Sequence, residues 1–318
     1  MDTAPRSSAA VEGTQSEGFR LLDWGHVVLT AVIFGSAFLW IALALRSLSP
    51  GVIGFARVVL GAGTLLLFSQ ARILPHRKDW TRIVIAGCLG QAAPAILFAM
   101  AEQRISSSLA GMLMSGIPLV TAVLAALVTR RRPTWTRVVG LSIGFIGIAL
   151  LSLPALGGEG AEVVGVAMVL LAVLGYSSAS MIYAPLQQRY GALAVVMWTL
   201  AVAAVVLLPF GILGLEDSSF DPMPVVALVI LGVVGTGIAR SLMVAAIGRL
   251  GSVRASVIAY LVPIVALVLG VIVLDESVAV VQIAGAAIAI MGGYLISRAT
   301  NKAQRSEETS SDPSRIGE

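Results

Sequence analysis

Arg57 lies in the run FARVVLGAGTLLLF and Arg240 in LGVVGTGIARSLM, where almost every neighbour is apolar. A guanidinium in such a run is costly to bury, so it faces a cavity or a partner and marks function by default. Neither arginine has an acid at its own depth. The nearest to Arg57 is Glu102, about 9 Å away along the helix axis at 1.5 Å per residue, within reach only if both side chains stretch. A planar fork of donors suits a carboxylate or a phosphate. Arg240 is therefore expected to hold an anionic group of a small molecule, the alternative being a structural role capping helix carbonyls.

Hydrogen-bonding residues gather near the same depth: Gln91 and Thr236, Ser115 and Tyr260, and the group Tyr176, Ser177 and Ser180. Singly, such groups serve as glue between helices. Together they are expected to line a cavity, with Trp40 as a wall or as a lipid contact. Pro118 and Pro263 each remove a helical hydrogen bond and free a carbonyl four residues back, and are expected to act as hinges. Gly140, Gly144 and Gly147 form a small-residue face for close packing, with no chemistry expected there.

Other chemistry is poorly equipped. The two histidines, His26 and His76, fall at span ends, and no intramembrane aspartate pair or His-Glu-x-x-His is present. A serine nucleophile would have no base at its depth. Cys88 is the single cysteine, which excludes an intramolecular disulfide and a thiolate metal cluster. The chain is expected to be neither an enzyme nor a holder of metal or cofactor.

The elements that position these residues follow from composition. Of 318 residues 58% are hydrophobic and 12% charged, with a mean hydropathy of +0.95; soluble domains are about 45–50% apolar and about 25% charged. This is an all-α integral membrane protein. A hydrocarbon core needs about 20 helical residues, and ten stretches qualify, near 25–45, 51–70, 83–102, 108–129, 138–155, 164–184, 193–214, 224–247, 254–274 and 279–298. Residues 1–22 and 299–318 read as disordered tails. Ala42-Leu43-Ala44 resembles a signal-peptide cleavage site, but removing the first span would spoil the repeat described next.

Shifted by 145 positions, Arg104, Ser107, Ala110, Pro118, Gly140 and Gly147 fall on Arg249, Ser252, Ala255, Pro263, Gly285 and Gly292. Two units of five spans, residues 23–155 and 162–298, are expected. An odd number of spans per unit makes the repeat inverted. Charge agrees: Arg46 and Arg104 fall on one side, Arg57 and Arg240 inside spans, and the other 17 of the 21 basic residues on the opposite side. By the positive-inside rule both termini are cytoplasmic. Trp24, Trp80 and Trp135 fall at cytoplasmic helix ends as interfacial anchors. An inverted duplication supplies two alternative faces around one central site, which alternating access uses and a static channel does not require.

The ordered set of features resembles the drug/metabolite transporter superfamily, in particular its ten-helix carriers built from two EamA domains. The likeness rests on Gly35-Ser36-Ala37-Phe38, Phe55-Ala56-Arg57, Ile105 to Gly111 and Ile117-Pro118-Leu119. In the second half it rests on Arg249-Leu250-Gly251, Arg254-Ala255-Ser256, Val262-Pro263 and Leu274-Asp275-Glu276 before Gly285, and overall it covers residues 24–297. One departure is Arg131, where the family usually has an acid after the fourth span. The resemblance implies a secondary carrier in a bacterial inner membrane, an exporter or importer of amino acids and other small metabolites; the two arginines inside the spans favour cargo with a carboxylate, and export is the expected direction. Sugar phosphates, nucleotide sugars or other drugs are the alternative cargo. The expected partners are a small-molecule substrate and the lipid bilayer, not nucleic acid, and a monomer suffices. The first span has no acid, so exchange of protons for lipophilic cations in the manner of the small multidrug-resistance relatives is not expected. Glu102 and Glu276 are peripheral, which leaves facilitated diffusion, exchange and proton antiport open.

Overall fold

The computed structural model describes residues 21–129, 134–156, 160–250 and 258–310. The Arg130–Arg132 loop, the Arg254-Ala255-Ser256 motif and both extreme termini lie outside the described residues. Within them the chain is helical and has no strand, as apolar runs demand when lipid offers the backbone no hydrogen bonds. In chain order the helices are α1 (Leu21–Ala44), α2 (Pro50–Leu65), α3 (Trp80–Gly87, Cys88–Ala92 and Ala93–Ala101), α4 (Ser107–Leu113, Met114–Gly116 and Ile117–Thr129) and α5 (Trp135–Leu156). They continue as α6 (Ala161–Tyr190), α7 (Ala192–Leu213), α8 (Pro222–Ile230, Leu231–Ile238 and Ala239–Leu250), α9 (Ile258–Leu274) and α10 (Val280–Ser310). Seven described helices are long and apolar enough to cross a membrane: Val27–Ala44, Arg77–Ala101, Ser107–Val128, Val138–Ala155, Ala161–Tyr190, Ala192–Leu213 and Pro222–Ile247. Three shorter apolar helices, Pro50–Leu65, Tyr260–Leu274 and Val280–Ile296, accompany them.

Two boundaries differ from expectation. The second helix stops at Leu65 rather than near residue 70, because Arg72 folds back and donates Nε and NH2 to the Leu66 carbonyl at 2.9 and 2.6 Å, capping the helix. The last helix runs on to Ser310, past Arg298. Its polar extension is rich in Ala, Gln, Arg and Glu, good helix formers, and meets no glycine or proline before Pro313.

Helix breaks have local causes. Ser49 caps α2 by accepting from Val52 N–H, and Pro50 fits the first turn, where its missing N–H is not needed. Ser106 caps α4 through Leu109 N–H. Between α6 and α7 stands Gly191 alone, with φ +81° and ψ 158°, a conformation that glycine alone adopts readily. In α3 and α8 the turns Cys88–Ala92 and Leu231–Ile238 are π-helical. Moved by the 145-residue repeat interval, Cys88–Ala92 becomes 233–237, inside the second of these turns.

The bundle is inside-out relative to a soluble protein. Leu67, Val205, Leu213, Ile272 and Val280 are exposed on its outside, an apolar surface suited to acyl chains. Glycines bring backbones together inside. A methyl on Gly147 of α5 would collide with the Ala289 backbone of α10, and one on Gly292 with Gly144, which is the packing role expected of that face. Gly61 of α2 sits against Gly232, Thr236 and Gly237 of α8, and this close approach places Arg57 beside Thr236.

Candidate functional site

Arg240 is buried in α8, with its guanidinium 4.1 Å over the Tyr176 ring and 5.1 Å from the Phe34 ring. Cation–π contacts of this kind are worth about 0.5–2 kcal/mol, but they leave the charge in place. No acidic residue pairs with Arg240 among the described residues. The three groups form one end of a cavity between α1, α4, α6, α8 and α9. Tyr176, Ser180 and Tyr183 of α6 line one wall, spaced four and three residues apart on a single helix face. Arg240, Met243, Val244 and Ile247 of α8 line another. Met114, Ile117 and Thr121 of α4, with Ile258 and Val262 of α9, complete it. The cavity thus runs from mid-helix toward the end where α6 and α8 finish and α9 starts.

The remaining expected residues divide. Arg57 donates Nε to Thr236 Oγ1 at 3.1 Å, and Thr236 donates to the Leu231 carbonyl, five residues back, inside the π-turn. Gln91 donates Nε2 to the Tyr183 hydroxyl at 3.2 Å, so it supports a cavity wall from behind. Ser115 donates to Met112 O in its own helix, and Ser177 to Ile117 O, across to α4. Tyr260 turns its ring against Gly293 of α10, and Trp40 packs against the apolar core. Ser115, Trp40 and Tyr260 therefore lie off the cavity wall. Arg57 and Glu102 form no ion pair: Arg57 NH1 and both Glu102 carboxyl oxygens are buried without a hydrogen-bond partner. Of the proline sites, Pro118 follows the tight turn Met114–Gly116, whereas Pro263 lies inside an unbroken helix.

The two ends of the bundle differ. Beyond Tyr176 an aromatic column fills the interior, with Phe98 stacked on Tyr176 at 5.9 Å and Phe38 edge-on to Phe98 at 5.3 Å. Past it, Asp275 takes a left-handed φ of 54° and turns Glu276 onto the start of α4. There Glu276 accepts from Ser107 N–H at 2.8 Å, Ser108 N–H at 2.9 Å and Ser108 Oγ at 2.5 Å. This latch ties the α9–α10 connection to the start of α4 at the end opposite the cavity. At the cavity's own end Asp79 accepts from Arg189 at 2.9 Å and from the Tyr190 hydroxyl at 2.6 Å, tying the α2–α3 connection to the tip of α6. Trp80 packs edge-on against Trp198 of α7 there, while Trp135 is exposed.

Sequence reasoning missed Tyr183 and Phe34. Tyr183 was signalled by its place seven residues after Tyr176 on the same face; Phe34, one aromatic among many apolar residues, carried no signal.

A helical bundle with an apolar outer surface and seven helices long and apolar enough to cross a membrane, around a cavity whose guanidinium has no acidic partner among the described residues, defines a helical membrane protein. The sequence model of the EamA-like transporter family matches residues 25–153 and again 163–298, and the chain belongs to that family. An uncharacterized transporter of Archaeoglobus fulgidus is 27% identical over 86% of this chain and 98% of its own length. A Streptantibioticus cattleyicolor protein named "Probable terminal-alkyne amino-acid exporter" is 27% identical over 89% of this chain and 96% of its own. A Salmonella typhimurium protein named "Probable amino-acid metabolite efflux pump" is 24% identical over 84% and 92%. A crystal structure aligns with 88% of this chain and 97% of its own with a TM-score of 0.63 at 20% identity, a likeness of fold.

Proposed function

We propose that the chain exports small carboxylate-bearing metabolites, amino acids or their derivatives, by alternating access between two inverted five-helix units. The observation that carries this reading is Arg240, a buried cation at the head of the cavity with no acidic partner among the described residues. Its fork would hold the carboxylate. Below it Met243, Val244, Ile247, Ile258 and Val262 offer an apolar wall, which suits an apolar side chain better than a sugar phosphate with several hydroxyls and charges. The names of the amino-acid exporter and efflux-pump relatives support the same cargo class and direction. In this reading ten helices span a bacterial inner membrane with both termini cytoplasmic, and the matched π-turns of α3 and α8 support the duplicated plan. Pro118 and Pro263 act as hinges, and Arg57, Thr236 and Gln91 support the site from behind its walls.

The test is growth on inhibitory concentrations of amino acids and their analogues. A host expressing the chain should tolerate more of at least one of them. Arg240→Ala, present in the membrane at the same level, should lose that protection, because a hydrogen bond to a charged group contributes about 1.5–3 kcal/mol, roughly a 10- to 150-fold change in affinity. Equal protection by the variant would overturn the reading.

A further inference from the structure

Glu102 is the first residue past α3, and both of its carboxyl oxygens are buried without a hydrogen-bond partner. A carboxylate stripped of water and offered no donor is far costlier than the neutral acid. The charged groups acting on it are Glu276, from the α9–α10 connection, and Arg57, from α2. Arg104 turns its guanidinium back onto the Met100 carbonyl at 2.7 Å. Glu162, at the start of α6, and Arg46, after α1, are exposed. Glu276 is itself engaged as the latch on α4, and Arg57 holds out an unpartnered NH1. The result is an unmade ion pair between Glu102 and Arg57, next to a second carboxylate that holds the α9–α10 connection onto α4.

We propose that Glu102 is a proton-binding site linked to the Glu276 latch, protonated while the latch is closed and deprotonated when it opens. On opening, the Glu102 O–H bond breaks, the proton leaves to water at that end, and the carboxylate left behind meets Arg57 NH1. A second negative charge beside Glu276 weakens the latch, so losing the proton and opening that end favour each other. The inference rests on the carrier reading only in requiring that this end opens.

Neither of two measurements needs a substrate. Infrared spectra of the purified protein in lipid nanodiscs should contain a protonated-carboxyl carbonyl band at neutral pH. Glu102→Gln should abolish the band and Glu276→Gln should keep it. Glu102→Asp, which retains a carboxyl, should shift it and serves should the glutamine variant not fold. Latch opening is read by a membrane-impermeant maleimide on Ser107→Cys with Cys88 replaced by serine. Ser107 gives the latch only its backbone N–H, so the substitution spares that bond. The labelling rate, divided by that of the exposed Asp217→Cys at the same end, should rise about tenfold per pH unit, the slope of one linked proton. With Glu102→Gln the ratio should be flat. A band indifferent to Glu102, a band lost with Glu276 instead, or a labelling ratio independent of pH while Glu102 is in place would each overturn the proposal. A chain that shows both signatures but protects no host loses the carrier reading and keeps the proton site.

Discussion

Arg57 has one donor satisfied and another left over. Thr236 Oγ1 is the acceptor for its Nε at 3.1 Å, and the guanidinium is buried around that bond. Thr236→Val removes the acceptor at nearly constant volume and should destabilise the protein by about 1.5–3 kcal/mol. A thermal melt in detergent should show the loss, with Thr236→Ser close to wild type; a valine variant melting with wild type would mean that the bond contributes nothing. At this scale the sequence told depth better than direction. Counting residues at 1.5 Å each puts Arg240, Tyr176, Ser180, Ser115 and Tyr260 near mid-helix, but successive residues also turn about 100° around the axis. Which of them faces inward depends on how each helix is rotated by its neighbours. Arg240, Tyr176 and Ser180 face the cavity, whereas Tyr260 faces Gly293 and Ser115 bonds its own helix.

Helices are where the sequence was most readable. Apolar runs gave their order, and the glycines of α5 gave its tight seam with α10. Gly147→Val places its side chain against the Ala289 backbone, which no rotamer change relieves. It should cost about 1–3 kcal/mol as overpacking does, read as a lower melting temperature. Gly63→Ala, on α2 with open space around it, should be neutral or slightly stabilising, which controls for the loss of glycine as such. The π-turns were not readable. Their register depends on hydrogen bonds reaching five residues back, and Thr236 Oγ1 joins that pattern by donating to Leu231 O, a choice made by packing against α2. Helix ends were partly hidden for a similar reason. Arg72 stops α2 early by folding back onto Leu66, a contact that hydropathy cannot anticipate.

For the whole molecule, the inverted plan predicts that the two termini share a face. Protease added outside intact cells should spare tags at both ends, and protease added to inverted membrane vesicles should remove both; tags cut on opposite sides would end the inverted plan. The asymmetry between a cavity at one end and a latch at the other was not legible in the sequence, since both halves carry the same grammar and only the packed chain has one conformation. The single-residue joint at Gly191 has a mechanical consequence. Helix α6 is a lever about 45 Å long at 1.5 Å per residue, anchored beside that joint where Asp79 grips Arg189 and Tyr190. Each degree of swing at this elbow carries Gly165, near the far tip of α6 where it rests on Arg104 and Ile105, through about 0.7 Å. A slight change of torsion at one glycine is thereby magnified into displacement on the opposite side of the bilayer.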